Sequence, residues 1–108
     1  MNPAELIATL DATLVRISRL APQNKASWDA DDLRQLAIER LWITAGNLAE
    51  AYRKATGLPS GVEPWAELYG YRSILAHALP DEIAPDRIWH ETVADLPRIL
   101  EHVRAARE

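Results

Sequence analysis

The chain contains no cysteine, which excludes disulfides and thiolate metal sites. An intracellular location is then the simplest expectation. No stretch approaches the roughly 18 apolar residues that a membrane span requires. Residues 1–7 also lack a basic segment followed by a long apolar one, so we expect that they are not a signal peptide. We therefore expect a cytoplasmic protein with no membrane contact.

Several signatures of catalysis are also missing. The sequence has no glycine-rich phosphate loop, no His-Glu-x-x-His pair and no Ser-His-Asp set with a nucleophile elbow. Acidic residues do cluster at 29–32 and 81–82, but helix-start electrostatics explains the first cluster and a loop explains the second. We expect neither a bound metal nor a cofactor.

The charge is mildly acidic, with a formal net charge of −4 over 108 residues. Residues 1–54 carry seven basic and seven acidic groups, and residues 55–108 carry five basic and nine acidic groups. Phosphate contacts supply most of the affinity for nucleic acid, so this balance argues against avid binding over the whole surface. A local cleft with a basic residue from each of two subunits could still be positive.

The apolar spacing predicts helices throughout, in one domain spanning residues 1–108. Asn2 as cap, Pro3 at the first helical position and Glu5 predict a helix that runs to about residue 21. A second helix should start within 29–32 and end near residue 56, before Gly57. Its predicted inner face is formed by Leu33, Ala37, Leu41, Thr44, Leu48 and Tyr52.

Proline residues set the limits of the remaining helices. Residues 60–64 should cap a third helix, and Pro80 should end it near residue 78. Pro85 opens a fourth helix, which Pro97 should kink or split. The expected fold is an all-α, up-and-down bundle of four to five helices. The four tryptophans, Trp28, Trp42, Trp65 and Trp89, are predicted to be core or interface anchors.

The predicted third helix carries the most informative pair of residues, Arg72 and His77, in an otherwise apolar run. A permanently charged guanidinium and an imidazole are the groups needed to cleave a phosphodiester without metal. Five residues turn an ideal helix by about 500°, so the two side chains lie roughly 140° apart. They could converge if the helix loosens before Pro80, or if a second subunit completes the site. Without further context, a surface ion pair and a capping imidazole are the ordinary roles of such residues.

Three stretches of sequence carry a resemblance to one known family. They are residues 37–51, Pro64-Trp65 with Tyr71-Arg72-Ser73 and Ala76-His77, and Ile88-Trp89 with Asp95-Leu96-Pro97. These stretches resemble the second, active-site and last helices of the HEPN superfamily. The similarity is closest to the HepT-like ribonuclease toxins that are encoded beside a minimal nucleotidyltransferase antitoxin.

The resemblance implies a symmetric homodimer in which the motifs of two subunits face each other. It implies a metal-independent endoribonuclease that cuts RNA by attack of a ribose 2′-hydroxyl, with the nucleotidyltransferase as the antitoxin partner. Arg72 would hold the phosphate, and His77 would act as general acid or base. Ser73 would orient Arg72 or contact phosphate, while Tyr69 and Tyr71 would stack on unpaired bases or pack within the protein.

The chain departs from the family pattern at three positions. Ser73 stands where Asn commonly follows the motif arginine, and Asn47 stands where a Glu is usual. Leu79 replaces the tyrosine on which the partner enzyme places its nucleotide label. An aliphatic side chain cannot accept that label. We expect a partner either to cover the cleft or to label another hydroxyl, of which Tyr71, Tyr69 and Ser73 are nearest.

Two other functions remain open from the sequence. The same bundle could be a non-catalytic module that binds a nucleotide or docks a nucleotidyltransferase through Arg72 and His77. It could also be a helical adaptor without a ligand. A basic cleft containing both residues would favour the enzyme, and an exposed apolar groove elsewhere would favour the adaptor.

Overall fold

The computed structural model describes residues 1–79 and 84–108. All regular elements in these two ranges are helical, with no strand, which confirms the predicted all-α class. The helices are α1 (Pro3–Leu20), α2 (Lys25–Asp29), α3 (Asp32–Ala55), α4 (Trp65–His77), α5 (Pro85–His90) and α6 (Leu96–Arg107). A π-helical turn, Glu91–Asp95, joins α5 to α6.

Local capping explains where the first helices begin. The Asn2 side chain accepts a hydrogen bond from the Glu5 backbone amide at 2.8 Å, which confirms the predicted start of α1. The Asn24 side chain accepts from the Ser27 amide in the same way and starts α2, a helix that the sequence pattern did not predict. Buried Trp28 is its anchor in the core.

Side-chain pairs show that consecutive long helices run antiparallel. Arg34, near the start of α3, donates to the carbonyl oxygen of Leu20 at the end of α1. The rings of Tyr52 and Trp65 meet 4.6 Å apart, where α3 ends and α4 begins. Tyr71 of α4 donates to the carboxylate of Asp95, just before α6, and Glu67, one turn earlier in α4, pairs with Arg98 within α6. The long helices α1, α3, α4 and α6 therefore alternate in direction, as the predicted up-and-down bundle requires.

The predicted inner face of α3 is correct only in part, since Leu41, Leu48 and Tyr52 are half-buried and pack against the core. Leu33 is 80% exposed, and Ala37 is exposed as well. The face that is buried consists of Ile38, Trp42, Ala45, Gly46 and Ala49. Both faces repeat at helical spacing. Gly46 favours the observed face, because it allows α4 to approach α3 closely. Leu33, Leu36 and Ala37, in the first half of α3, are left toward solvent.

The break predicted at Pro97 occurs one turn earlier, in the π-helical turn. Proline has no amide hydrogen, so the carbonyl of Val93 has no α-helical donor from Pro97. The backbone widens before Pro97, and the amide of Leu96 donates to the carbonyl of Glu91. The helical path continues into α6, while Glu91 and Thr92 turn inward.

The tryptophans lie as predicted, in or against one hydrophobic cluster. Trp28, Trp42 and Trp65 are buried, and Trp89 is partly buried with its ring 5.6 Å from that of Trp28. The indole of Trp42 donates to the Thr92 hydroxyl at 3.1 Å, which ties α3 to the π-helical turn. Among the described helices, none has the length and hydropathy of a membrane span.

Candidate functional site

Helix α4 carries both motif residues, with Arg72 in its second half and His77 as its last residue. The helix stays regular to that point, since the amide of Ala78 donates to the carbonyl of Ile74 at 3.0 Å. The ideal separation of roughly 140° around the axis therefore applies. The predicted loosening of the helix does not occur within the described residues, and no hydrogen bond joins Arg72 to His77. One subunit does not bring the two side chains together.

The guanidinium of Arg72 is held by a neutral group. Its Nε donates to the side-chain oxygen of Asn47 on α3 at 2.7 Å. The guanidinium carbon also lies 5.7 Å from the centre of the Tyr69 ring, which is cation–π distance. Within residues 1–79 and 84–108, Arg72 has no ion pair with a carboxylate. Its two terminal amino groups are therefore available to an external anion.

The other arginines differ from Arg72 in their partners or in their exposure. Six pair with carboxylates: Arg34, Arg53, Arg87, Arg98, Arg104 and Arg107. Three have no described ion pair and are exposed: Arg16, Arg19 and Arg40. Arg72 alone among the described arginines is partly buried, oriented by an amide and left without a described counter-charge.

Gly46 allows α3 and α4 to meet at Arg72. A Cβ atom at Gly46 would overlap the Cβ atom of Arg72 and lie 2.6 Å from the carbonyl oxygen of Leu68. Only glycine fits this approach without a shift of one helix. Gly46 thus allows the backbone of α4 to lie against α3, and Asn47 orients the guanidinium of Arg72 at that contact.

The three supporting residues have different environments. Tyr69 is 38% exposed, and the Arg72 guanidinium lies over its ring. The Ser73 hydroxyl donates to the carbonyl of Tyr69 at 2.9 Å, back along its own helix. The Tyr71 hydroxyl donates to Asp95 at 2.7 Å and also lies 2.9 Å from Glu67.

The side chain of Tyr71 packs against the hydrophobic core and not beside Arg72. Its ring meets Trp42 edge-on, with centroids 5.5 Å apart. Burial, followed by the hydrogen bonds to Asp95 and Glu67, raises the pKa of the Tyr71 hydroxyl. Of the three residues considered for modification, Tyr69 is the most exposed.

The sequence analysis did not assign Gly46 or Asn47 to this site. Asn47 attracted notice only as a departure from the family's usual Glu, yet it orients Arg72 directly. The available signal was its position in the second helix beside a glycine, a small-residue step at which two helices can touch. Its partner lies 25 residues away, beyond the reach of local spacing rules.

His77 is exposed at the carboxyl end of α4, and His90 and His102 are exposed as expected. The described side chains contain no group of three His, Asp or Glu residues arranged to hold a metal ion. An 80 Å³ cavity lies on the Tyr71 side of α4, lined by Tyr71, Ile74, Leu75, Ala84, Arg87, Ile88 and Glu91. That cavity includes neither Arg72 nor His77.

Comparison of the chain with family models, curated proteins and solved structures yields no match. The function is therefore argued from the residues of the site and from the resemblance described above.

Proposed function

We propose that the protein is a HEPN-type, metal-independent endoribonuclease. One observation carries the proposal. Arg72 is a partly buried guanidinium fixed by Asn47, without a carboxylate partner among the described residues. A charge held in this way is prepared for a phosphate, because no internal pair must break before the anion binds.

In the proposed reaction, a ribose 2′-hydroxyl attacks the adjacent phosphorus and the bond to the 5′-oxygen breaks. A base takes the proton of the 2′-hydroxyl, and an acid protonates the departing 5′-oxygen. The products are a 2′,3′-cyclic phosphate and a free 5′-hydroxyl. Arg72 stabilises the charge that develops on phosphate oxygens, and His77 supplies acid–base catalysis, a contribution of about 10² to 10⁴ in rate.

The proposed enzyme is a symmetric dimer, since Arg72 and His77 of one chain point about 140° apart. A two-fold axis through the outer face of α3 and α4 would let His77 of one subunit approach Arg72 of the other. The exposed side chains of Leu33 and Leu36 support this choice of face. They lie on the same side of α3 as Asn47 and supply apolar area for a second copy.

The biological role in this proposal is that of the toxin in a toxin–antitoxin pair in the cytoplasm. The partner is a minimal nucleotidyltransferase that covers the Arg72 cleft or labels a hydroxyl other than position 79. Tyr69 is the best-placed acceptor, because the hydroxyls of Ser73 and Tyr71 already donate within the protein. Intact-mass measurement after co-expression with the neighbouring gene separates the two modes: an adenylyl-sized increment means labelling.

The test of the enzyme uses the purified dimer, a single-stranded RNA and four variants. Arg72→Ala and His77→Ala should each abolish cleavage with helicity and thermal stability nearly unchanged, because Arg72 is only partly buried and His77 is exposed. Arg19→Ala and His102→Ala, exposed residues on other helices, should cleave like the wild type. Cleavage should also continue in EDTA.

Loss of the fold in Arg72→Ala and His77→Ala would assign these residues a structural role instead. RNA or nucleotide binding without cleavage by the wild type would favour the alternative of a binding module.

A further inference from the structure

Arg40 is an exposed arginine on α3 that the proposed reaction does not use. It lies seven residues before Asn47, which is 20° short of two full helical turns. Arg40 and Asn47 therefore lie on one stripe along α3. Because Asn47 binds Arg72, the stripe leads directly to the proposed phosphate site.

The antiparallel packing of α3 and α4 fixes the end of the site at which Arg40 lies. Tyr52 contacts Trp65, and Asn47 contacts Arg72. Earlier residues of α3 therefore lie beside later residues of α4. Arg40 is about 10.5 Å along the axis from Asn47, and His77 is about 7.5 Å along the axis from Arg72, in the same direction. Arg40 thus lies near the level of His77 on the outer face.

The charge along this stripe favours an anion. Between Leu33 and Ala51, the outward positions of α3 hold only apolar, small or neutral polar side chains besides Arg40. Within the described ranges, Arg40 forms no ion pair. Thr44, one turn on, donates its hydroxyl to the backbone carbonyl of Arg40 at 3.1 Å. The guanidinium groups of Arg40 and Arg72 therefore follow one path, and the exposed positions of α3 along it carry no carboxylate in the part of the chain that the structure describes.

We propose that Arg40 binds a backbone phosphate next to the scissile one and so positions a single-stranded RNA in the cleft between the two subunits, beside the apolar contact that Leu33 and Leu36 make with the second copy. This proposal rests on the proposed ribonuclease function. Arg72 holds the reacting phosphate, whereas Arg40 holds the strand. A contact made equally in the bound RNA and in the transition state strengthens binding and leaves kcat unchanged.

The experiment measures binding of a fluorescent single-stranded RNA whose 2′-hydroxyls are methylated, so that it cannot be cut. Each phosphate contact on a single strand contributes about 0.7 to the slope of log K against log salt concentration. Arg40→Gln should lower that slope by about 0.7 and raise KM severalfold on cleavable RNA, with kcat unchanged. Arg40→Lys should keep the slope. Arg19→Gln, which removes an equally exposed charge from α1, should match the wild type.

The outcomes separate the two proposals. If the wild type neither binds nor cuts RNA, the ribonuclease function fails. If the wild type cuts RNA but Arg40→Gln keeps the wild-type slope, or changes it no more than Arg19→Gln does, the role of Arg40 is overturned and the ribonuclease stands. A fall in kcat at saturating RNA would also overturn it. Light scattering on Arg40→Gln shows that the oligomeric state is unchanged.

Discussion

Glu91, at the start of the π-helical turn, is a carboxyl group in an apolar environment. It is 5% exposed, and its Oε2 atom has no hydrogen-bond partner in the described part of the chain. The Nε of Arg87 donates to Oε1 at 3.2 Å. Burial raises the pKa of Glu91 to about 7, and Arg87 offsets only part of that shift. At mildly acidic pH the Glu91 carboxyl therefore keeps its proton in the folded protein.

Because the folded protein keeps this proton, we expect its free energy of unfolding to fall as the pH rises. Between the ordinary glutamate pKa of 4.5 and the folded value of about 7, the unfolded chain releases the proton while the folded chain keeps it. Stability should then fall through this window, by on the order of 3 kcal/mol at most for this one group. Urea denaturation of the wild type and Glu91→Gln across the window tests the prediction.

Glu91→Gln should show a flatter dependence than the wild type, because an amide does not titrate. The difference between the two proteins isolates Glu91 from the histidines and the other carboxylates. Parallel curves would show that Glu91 ionises in the folded protein as it does in the unfolded chain.

At the scale of elements, the contact between α3 and α4 determines the Arg72 geometry. Local rules predicted where these helices begin and end, because caps and prolines act within three or four residues. They predicted the buried face of α3 only in part, since its centre at Gly46 depends on Leu68 and Arg72, more than 20 residues away. Helix α2 was not predicted for a similar reason. Its Trp28 donates a hydrogen bond to the carbonyl of Pro85, which lies 57 residues later in the chain.

The close approach of these helices predicts a large effect at Gly46 and a small one at Gly70. Gly46→Ala should destabilise the fold by about 1 to 3 kcal/mol, because the added methyl forces α3 from α4. Cleavage should fall with it, since Asn47 and Arg72 separate. Gly70→Ala is the matched control: it lies in α4, and its added methyl would have no contact within 4 Å to any described residue beyond its chain neighbours and the backbone of its own helix.

Gly70→Ala should stabilise the protein by about 0.4 to 1 kcal/mol, because alanine has the higher helix propensity. Thermal and urea denaturation of the two variants measure both effects. Equal stabilities for Gly46→Ala and Gly70→Ala would mean that the helices separate without cost.

At the scale of the whole molecule, the hydrophobic pattern was sufficient for the fold class but not for the site. The all-α bundle follows from helical spacing that four long segments repeat. The site needs Gly46 and Asn47 on one helix and Arg72 on the next, which only the packed bundle brings together. The sequence did predict Arg72 and His77 as a pair, and their divergence on one helix is what makes a second subunit necessary to the proposal.

The proposed dimer predicts a particle of about 24 kDa in light scattering, twice the 12.1 kDa chain. Leu33 and Leu36 are 80% and 60% exposed on the outer face of α3, where they would pack against the second copy. Replacing both with Glu places like charges across the two-fold axis, so the double variant should be a monomer. Because neither side chain is buried within the subunit, its helicity should not change.

Val93→Glu provides the matched control, since Val93 is 46% exposed but lies on the π-helical turn rather than on α3. It should remain a dimer and cut RNA. The Leu33→Glu, Leu36→Glu variant should lose cleavage together with dimerisation.

Mixing Arg72→Ala subunits with His77→Ala subunits should restore part of the activity. In the mixed dimer, one of the two composite sites is intact. A wild type that is monomeric at the concentrations at which it cuts RNA would rule out the composite site, because His77 could then reach the phosphate only from the helix that carries Arg72.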